Sequence, residues 1–383
     1  MRPFVVIAAA LACLRVPLLP AQDTAAFVVR IGRDTLGLER AIRTANQLTG
    51  EYVLRAPRPV HALYTADLNA DGTIRRFELI SHNIAGGPGP AETRTVVEFT
   101  GDSATLILPR GDSSVTQRVA AGPGAWLWVG YPPAIYEVLG RQARAAGRSP
   151  YTVPAFSPGP LRGTVTVTPG GGDTLLATIA LSIGEVGPIR MTLDPAGRLT
   201  WMSAVGTAIQ TVSERVPSVD IAAAGPAFAA RPLGTLSPRD TVRGAVGGAE
   251  LRVEYGRPLK RGREIFGQVV PWNQVWRAGA NAATHFHAPV DLDIGGANVP
   301  AGTYTLWALP SPTGWKLIIN RQTGQWGTDY HADQDLVRVD LRVETLPQPV
   351  EQFTIAIEPD GAGALLRMAW DHTRVSVPIT RRQ

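Results

Sequence analysis

The sequence predicts a mostly β protein of two units: an N-terminal antiparallel meander or half-barrel carrying one helix, and a C-terminal β-sandwich. Three observations carry this expectation. Apolar and polar residues alternate over short runs, the period of a half-buried strand. Turn-forming residues separate the runs, with 40 Gly and 32 Pro in the chain. The length, 383 residues, exceeds what one ordinary core organises.

In the first unit, residues 22–216, alternation is clear in Tyr52-Val53-Leu54, in His61-Ala62-Leu63-Tyr64 and in Ile74 to Leu79. Asn69-Ala70-Asp71-Gly72 separates the last two and has hairpin chemistry. The pattern continues through Val96–Thr100, Thr105–Leu108, Val115–Val119, Thr164–Val167, Leu175–Ile183, Ile189–Leu193 and Leu199–Met202, each bounded by Gly, Asp or Pro. Arg110-Gly111-Asp112-Ser113 falls at one such boundary and reads as ordinary turn chemistry, not an adhesion motif. Thr35–Leu48 suits either a helix or a strand. Pro132–Ala146 reads as a helix, because Pro133 suits the first turn, Ile135, Val138, Leu139 and Ala143 share a face, and Gly147 suits a stop. One helix on a curved sheet makes a half-barrel that either is plugged by that helix or encloses an apolar ligand. Residues 217–236, rich in Pro and small residues, read as a linker. The second unit, residues 237–380, shows about nine short strands at sandwich-like spacing, among them Val337–Val343, Phe353–Glu358, Leu365–Trp370 and Arg374–Ile379.

Residues 1–21 read as an export leader: Arg2, the apolar run Phe4–Leu14, and Ala21 before the expected cleavage point. A periplasmic or secreted location follows. The alternative is a lipoprotein anchored at Cys13, although Ala10-Leu11-Ala12 matches the usual lipidation box poorly. No later segment is long and apolar enough to span a membrane as a helix. Cys13 is the only cysteine, so a processed chain has no disulfide, thiolate metal site or cysteine nucleophile. The net charge is +5, and only Lys260 and Lys316 are lysines. No basic run with interleaved aromatics occurs, so nucleic acid is not an expected partner. Gly-rich phosphate loops and nucleophile elbows are absent.

The second unit resembles the bacterial secreted domain-of-unknown-function family 2911. The resemblance rests on Tyr255-Gly256-Arg257-Pro258, Gly262-Arg263-Glu264-Ile265-Phe266-Gly267, Val275-Trp276-Arg277-Ala278-Gly279-Ala280-Asn281-Ala282-Ala283-Thr284, Pro300-Ala301-Gly302-Thr303-Tyr304, Gln325-Trp326-Gly327 and Val375-Ser376-Val377-Pro378, in that order. It implies an extracytoplasmic β-sandwich-like domain and supplies no activity.

Three constellations carry possible chemistry. Trp276, Arg277 and Asn281, with Arg257, Arg263 and Glu254, combine a stacking face, forked donors and an amide, the means of holding a carbohydrate or a carboxylate. Against this stands a purely structural set of ion pairs. His285 and His287 point to one face of a strand and, with His331 and Asp333, would offer three nitrogens and a carboxylate to zinc. Against this, Thr305 stands where a cupin has its further histidine, and two half-exposed histidines on a sheet face explain the pair equally simply. Trp307, Trp315, Trp326 and Tyr330 are a third set, either core or a sugar-stacking platform.

The leading functional expectation is a non-catalytic extracytoplasmic binding or envelope-associated module with a small-molecule or glycan ligand and no cofactor. The alternatives are a zinc-dependent enzyme with a His-x-His site and an apolar-ligand carrier built on the N-terminal half-barrel.

Overall fold

The computed structural model describes residues 22–86, 90–111, 113–182 and 184–382. The expected export leader with Cys13, and Asp112 of the Arg110–Ser113 stretch, lie outside the described residues. The protein is mostly β, with two large sheets and few helices.

The N-terminal chain runs through β1 (Asp23–Ile31), β2 (Asp34–Arg43), β3 (Gln47–Leu54), β4 (Val60–Leu68), β5 (Ile74–Asn83), β6 (Glu92–Thr100), β7 (Ser103–Arg110) and β8 (Ser113–Ala120) as an antiparallel meander. It then crosses over through β9 (Trp126–Leu127) and α1 (Pro133–Ala145). From there it returns through β10 (Tyr151–Phe156), β11 (Arg162–Pro169), β12 (Thr174–Leu181), β13 (Gly184–Leu193), β14 (Leu199–Ser203) and β15 (Val212–Val216). Pairing of β15 with β1 joins the two meanders into one sheet of fifteen strands with β8 and β9 at its edges. The sheet is strongly curved, because Phe99 of β6 meets Phe156 of β10 edge-to-face at 5.3 Å. The hairpin between β4 and β5 follows its sequence: Gly72 has φ +81°, and Asp71 accepts from Thr73 N at 2.9 Å.

Thr35–Leu48 is strand, divided between β2 and β3. Its apolar spacing suits both periods, and pairing with β1 on one side and β4 on the other decides the outcome. Helix α1 fills the concave side of the sheet. Ile135, Tyr136, Val138 and Leu139 belong to one apolar core with Phe27, Phe77, Trp126 and Phe156. Trp126 donates through Nε1 to the Ile135 carbonyl and lies edge-to-face on Tyr136 at 5.3 Å. The apolar-carrier reading needs this interior open, and the helix occupies it.

Polar groups anchor α1 as well. Glu39 of β2 accepts from the Ala134 amide at 3.0 Å and from the Tyr64 hydroxyl at 2.6 Å. Glu137 accepts from the Leu199 amide at 2.8 Å and pairs with Arg215 at 3.1 Å and Arg141 at 3.2 Å. The bonds of Ala134 to Glu39 and of Glu137 to Leu199 and Arg215 cross from the helix to different parts of the sheet, so the plug is oriented as well as buried.

The expected linker contains a second helix, α2 (Ile221–Ala230). Its alanines favour helix, and Asp220 caps it by accepting from Ala223 N at 2.9 Å. Ile221 and Phe228 pack on Val53, so the stretch lies on the N-terminal sheet rather than hanging free. Replacing Asp220 by Ala removes the cap and is expected to cost about 1 kcal/mol, read as a lower denaturation midpoint with unchanged slope.

The second domain comprises β16 (Arg239–Val246), β17 (Ala249–Gly256), β18 (Thr284–Ala288), β19 (Leu292–Ile294), β20 (Ala297–Val299), β21 (Gly302–Ser311), β22 (Gly314–Asn320), β23 (Asp335–Asp360) and β24 (Gly363–Arg381). Two of these differ from the sequence reading. The runs at Val337–Val343 and Phe353–Glu358 are one long β23, and those at Leu365–Trp370 and Arg374–Ile379 are one β24. Register shifts between Thr345 and Thr354 absorb the polar middle of β23. The sheet folds on itself, and both halves share a core that includes Phe286, Leu306 and Leu317 from one side and Ile355, Leu366 and Val377 from the other.

Candidate functional site: a cavity between the two domains

The stretch 257–283, between β17 and β18, places the functional side chains. Trp276 and Ala308 exchange backbone hydrogen bonds, both 2.8 Å, which pins this stretch to β21. Thr284 Oγ1 donates to the Ala278 carbonyl at 2.8 Å. Ala278 and Asn281 take left-handed conformations, φ 44° and 64°. Such a conformation is costly for alanine and is held only where surrounding bonds over-determine it. Gly327 closes the arrangement by donating to the Asn281 carbonyl at 2.9 Å. A Cβ at Gly327 would lie 2.1 Å from Arg277 Cδ and 2.6 Å from Asn281 O, so the glycine makes room for the arginine stem.

These residues wall a cavity of about 570 Å³ between the two domains. The second domain contributes Trp276, Arg277, Asn281, Arg263, Trp307 and Tyr330. The first contributes Trp128, Tyr131 and the loop 206–210. Polar contacts dock the domains around it. Arg261 pairs with Asp34 at 2.6 Å and accepts from Arg33 N at 2.9 Å through its carbonyl. Gln210 Nε2 donates to the Val269 carbonyl at 3.3 Å, and Gly184 bridges to Thr328.

The charges in the cavity are uneven. Arg261 is neutralised by Asp34. Arg263 spends its donors on the Lys260 carbonyl at 3.0 Å and on that of Leu259, and burial, with Arg261 nearby, pulls it down to about 10. Arg277 has neither a carboxylate nor a hydrogen-bond partner among the described residues. Its Nε is sealed from solvent and unsatisfied. Burial alone lowers its guanidinium to about 10, which leaves it cationic at neutral pH. Glu185 on the rim is exposed and is not among the causes that perturb Arg277.

Aromatic side chains share the cavity wall with Arg277. Trp276 stacks on Trp370 with centroids 6.0 Å apart and meets Phe353 edge-to-face at 5.0 Å. Trp307 lies 4.9 Å from Tyr330, with its Nε1 satisfied by Thr305 Oγ1. The indoles are therefore locked by packing, and the walls of the cavity are preformed.

Four of the six residues in the first sequence constellation, Trp276, Arg277, Asn281 and Arg263, come together here. Arg257 and Glu254 do not. Arg257 pairs with Asp240 at 2.9 Å and donates to Thr354 Oγ1 and the Phe353 carbonyl. Glu254 faces outward from β17 between Arg239 and Arg252. Both belong to the structural ion-pair alternative, because each stands at or beside the outward face of β17, where charged neighbours on adjacent strands reach it first.

The histidine constellation is dispersed. His285 and His287 share a face of β18 as half-exposed residues, as the spacing requires. His285 accepts from the Gly324 amide at 2.9 Å, and burial and Arg239 push its imidazole down. His287 contacts Thr303 Oγ1, and His331 contacts Asp329. Asp333 takes a hydrogen bond from Gln334. Among the described residues, no group of three or more His, Cys, Asp or Glu is spaced to hold a metal ion. In the aromatic set, Trp307 and Tyr330 line the cavity, Trp315 is buried against Phe266, and Trp326 is exposed, so the four make no single platform.

Sequence reasoning missed Tyr131. In Gly130-Tyr131-Pro132 it looks like a turn residue ahead of α1, and nothing local links it to a stretch some 140 residues on. Burial raises its hydroxyl, which has no hydrogen-bond partner among the described residues.

Among the described residues, no helix is long and apolar enough to cross a membrane. No curated protein matches the chain. Solved structures with partial likeness include a DUF1089 family protein from Pseudomonas aeruginosa, 13% identical, covering 44% of this chain and 89% of that one with a TM-score of 0.32. A beta-barrel-like protein of domain of unknown function DUF1849 from Brucella abortus is 15% identical, covering 53% of this chain and 98% of that one with a TM-score of 0.33. Residues 237–379 match the family described as "Protein of unknown function (DUF2911)", the family that the motifs of the second unit resemble.

Proposed function

We propose that this chain is an exported, non-catalytic binding protein whose ligand is a small molecule bearing a carboxylate on a sugar or other ring, held between the two β domains. The observation that carries the reading is Arg277, a half-buried guanidinium with a sealed Nε and no partner among the described residues, in a cavity that locked indoles also line. Burying a cation without a counter-ion costs several kcal/mol, and a bound anion offsets that cost. The guanidinium fork matches a carboxylate in two parallel bonds, and the exposed part of an indole face accepts a ring. The cavity volume is within the range of small-ligand sites. Arginine, amide and tryptophan recognise without supplying a nucleophile, which favours binding over turnover. The leader expected from the sequence at residues 1–21 supports an extracytoplasmic place of action.

The test is titration of purified, leader-free protein with sugar acids, aromatic acids and their neutral counterparts, followed by calorimetry and tryptophan fluorescence. Acids are expected to bind in preference to neutral analogues. Arg277→Gln is expected to weaken them about ten- to a hundredfold, the worth of hydrogen bonds to a charged group. Equal affinity of the wild type for acid and neutral forms would reject the reading. Turnover of a glycoside or ester that is lost in the Arg277 and Asn281 variants would reject its non-catalytic part.

A further inference from the structure

Tyr131 and Arg277 reach the same cavity from opposite domains, and neither has a hydrogen-bond partner among the described residues. The other charged groups and the Trp307 indole that line the cavity are occupied or exposed. Arg261 is held by Asp34, Arg263 by two carbonyls, Trp307 Nε1 by Thr305, and Glu185 lies out on the rim. Among the arginines and tyrosines of the lining, with Tyr330 bonded to Asp335, one free cation and one free phenol remain, one from each domain.

Resting on the binding function above, we infer that the ligand is a ring acid with a hydroxyl or other oxygen remote from its carboxylate, a sugar acid or aromatic hydroxy acid, bridging Arg277 and Tyr131. The carboxylate occupies the Arg277 fork. The remote oxygen exchanges a hydrogen bond with the Tyr131 hydroxyl, and the ring lies between, along Trp276. Such a ligand joins the domains through the cavity that their polar contacts surround, so the N-terminal domain sets specificity and the C-terminal domain sets charge. A site built to bond a hydroxyl rejects an analogue lacking it more strongly than an apolar pocket rejects an added one.

The experiment uses the full leader-free chain and two sets of probes. Hydroxy acids are D-glucuronate, D-galacturonate and 4-hydroxybenzoate; their hydroxyl-free counterparts are cyclohexanecarboxylate and benzoate. Tyr131→Phe keeps the ring that packs toward Ile31 and Leu36, so the fold is preserved. It is expected to weaken at least one hydroxy acid about tenfold, one hydrogen bond, while leaving the hydroxyl-free acids unchanged. Arg277→Gln is expected to weaken both sets. If Tyr131→Phe changes both sets alike, or neither, the bridging inference is overturned while the acid site at Arg277 stands. If Arg277→Gln spares all the acids, or if no probe binds at about ten millimolar, a Kd weaker than any specific site of this size, the inference falls together with the function it rests on.

Discussion

Replacing Glu137 by Ala should destabilise the N-terminal domain by about 3–5 kcal/mol, the cost of breaking a buried pair by removing one partner. Glu137 is buried on the inward side of α1. Its carboxylate accepts from the Leu199 amide and meets both Arg215 and Arg141. Asp23 meets the same two arginines at 3.1 and 3.3 Å, so the group is a four-membered network with two charges of each sign. Removing Glu137 leaves two arginines on one carboxylate and strands a buried backbone donor. Glu137→Gln keeps an oxygen for Leu199 and should fall between the wild type and the alanine variant. Asp340→Ala provides the contrast. Its pair with Lys316 is shorter still, 2.5 Å, but both side chains are well exposed. Exposed pairs contribute about 0–1 kcal/mol, so this variant should scarcely move the midpoint. Denaturant titration, with the N-terminal transition followed through Trp126, separates the two outcomes.

The same network marks how far local pattern carries in this chain. Helix α1 was legible from Pro133 and from the face made by Ile135, Val138, Leu139 and Ala143. Its other side was not. Glu137 and Gln142 are polar and lie outside that apolar set, yet both are buried, with partners at Leu199, Arg215 and Gly72 that lie far away in sequence. Periodicity reports which side chains avoid water; it does not report which polar ones find partners in the core. Thr35–Leu48 stayed ambiguous for a related reason, because its pairing depends on β1 and β4 and not on the segment itself. At the cavity, Trp276, Arg277 and Asn281 were legible because they are consecutive or nearly so on one stretch. Arg257 and Glu254 belonged to the same motif region but the end of β17 carries them elsewhere. Tyr131 was invisible because it joins them only through domain docking.

A second large effect is expected from pH. Glu39 is fully buried in the N-terminal domain and its carboxyl is pushed up to about 7. Desolvation is the main cause, with Glu137 of α1 adding to it, while the Tyr64 hydroxyl and the Ala134 amide act in the opposite direction. Tyr52 of β3 also lies close enough for the Glu39 charge to act on it. An unfolded glutamate titrates near 4.5. Between these two values the folded state holds a proton that the unfolded state has released. Stability from this group is therefore complete below about pH 4.5 and is lost as pH rises through about 7, by about 3 kcal/mol in all. Glu51 and Glu78 are shifted the other way by their hydrogen-bonded partners, so their contributions are lost only as pH falls below the usual carboxylate range. The two windows do not overlap. Glu39→Gln cannot titrate and should flatten the fall between pH 5 and 8, with a higher midpoint than the wild type at pH 8 and a similar one at pH 5. Parallel curves for the two proteins would mean that Glu39 is ionised throughout. In that case the amide end of α1, which favours a carboxylate, outweighs the desolvation that surrounds it. A reduced but measurable slope would give the balance between those two effects directly.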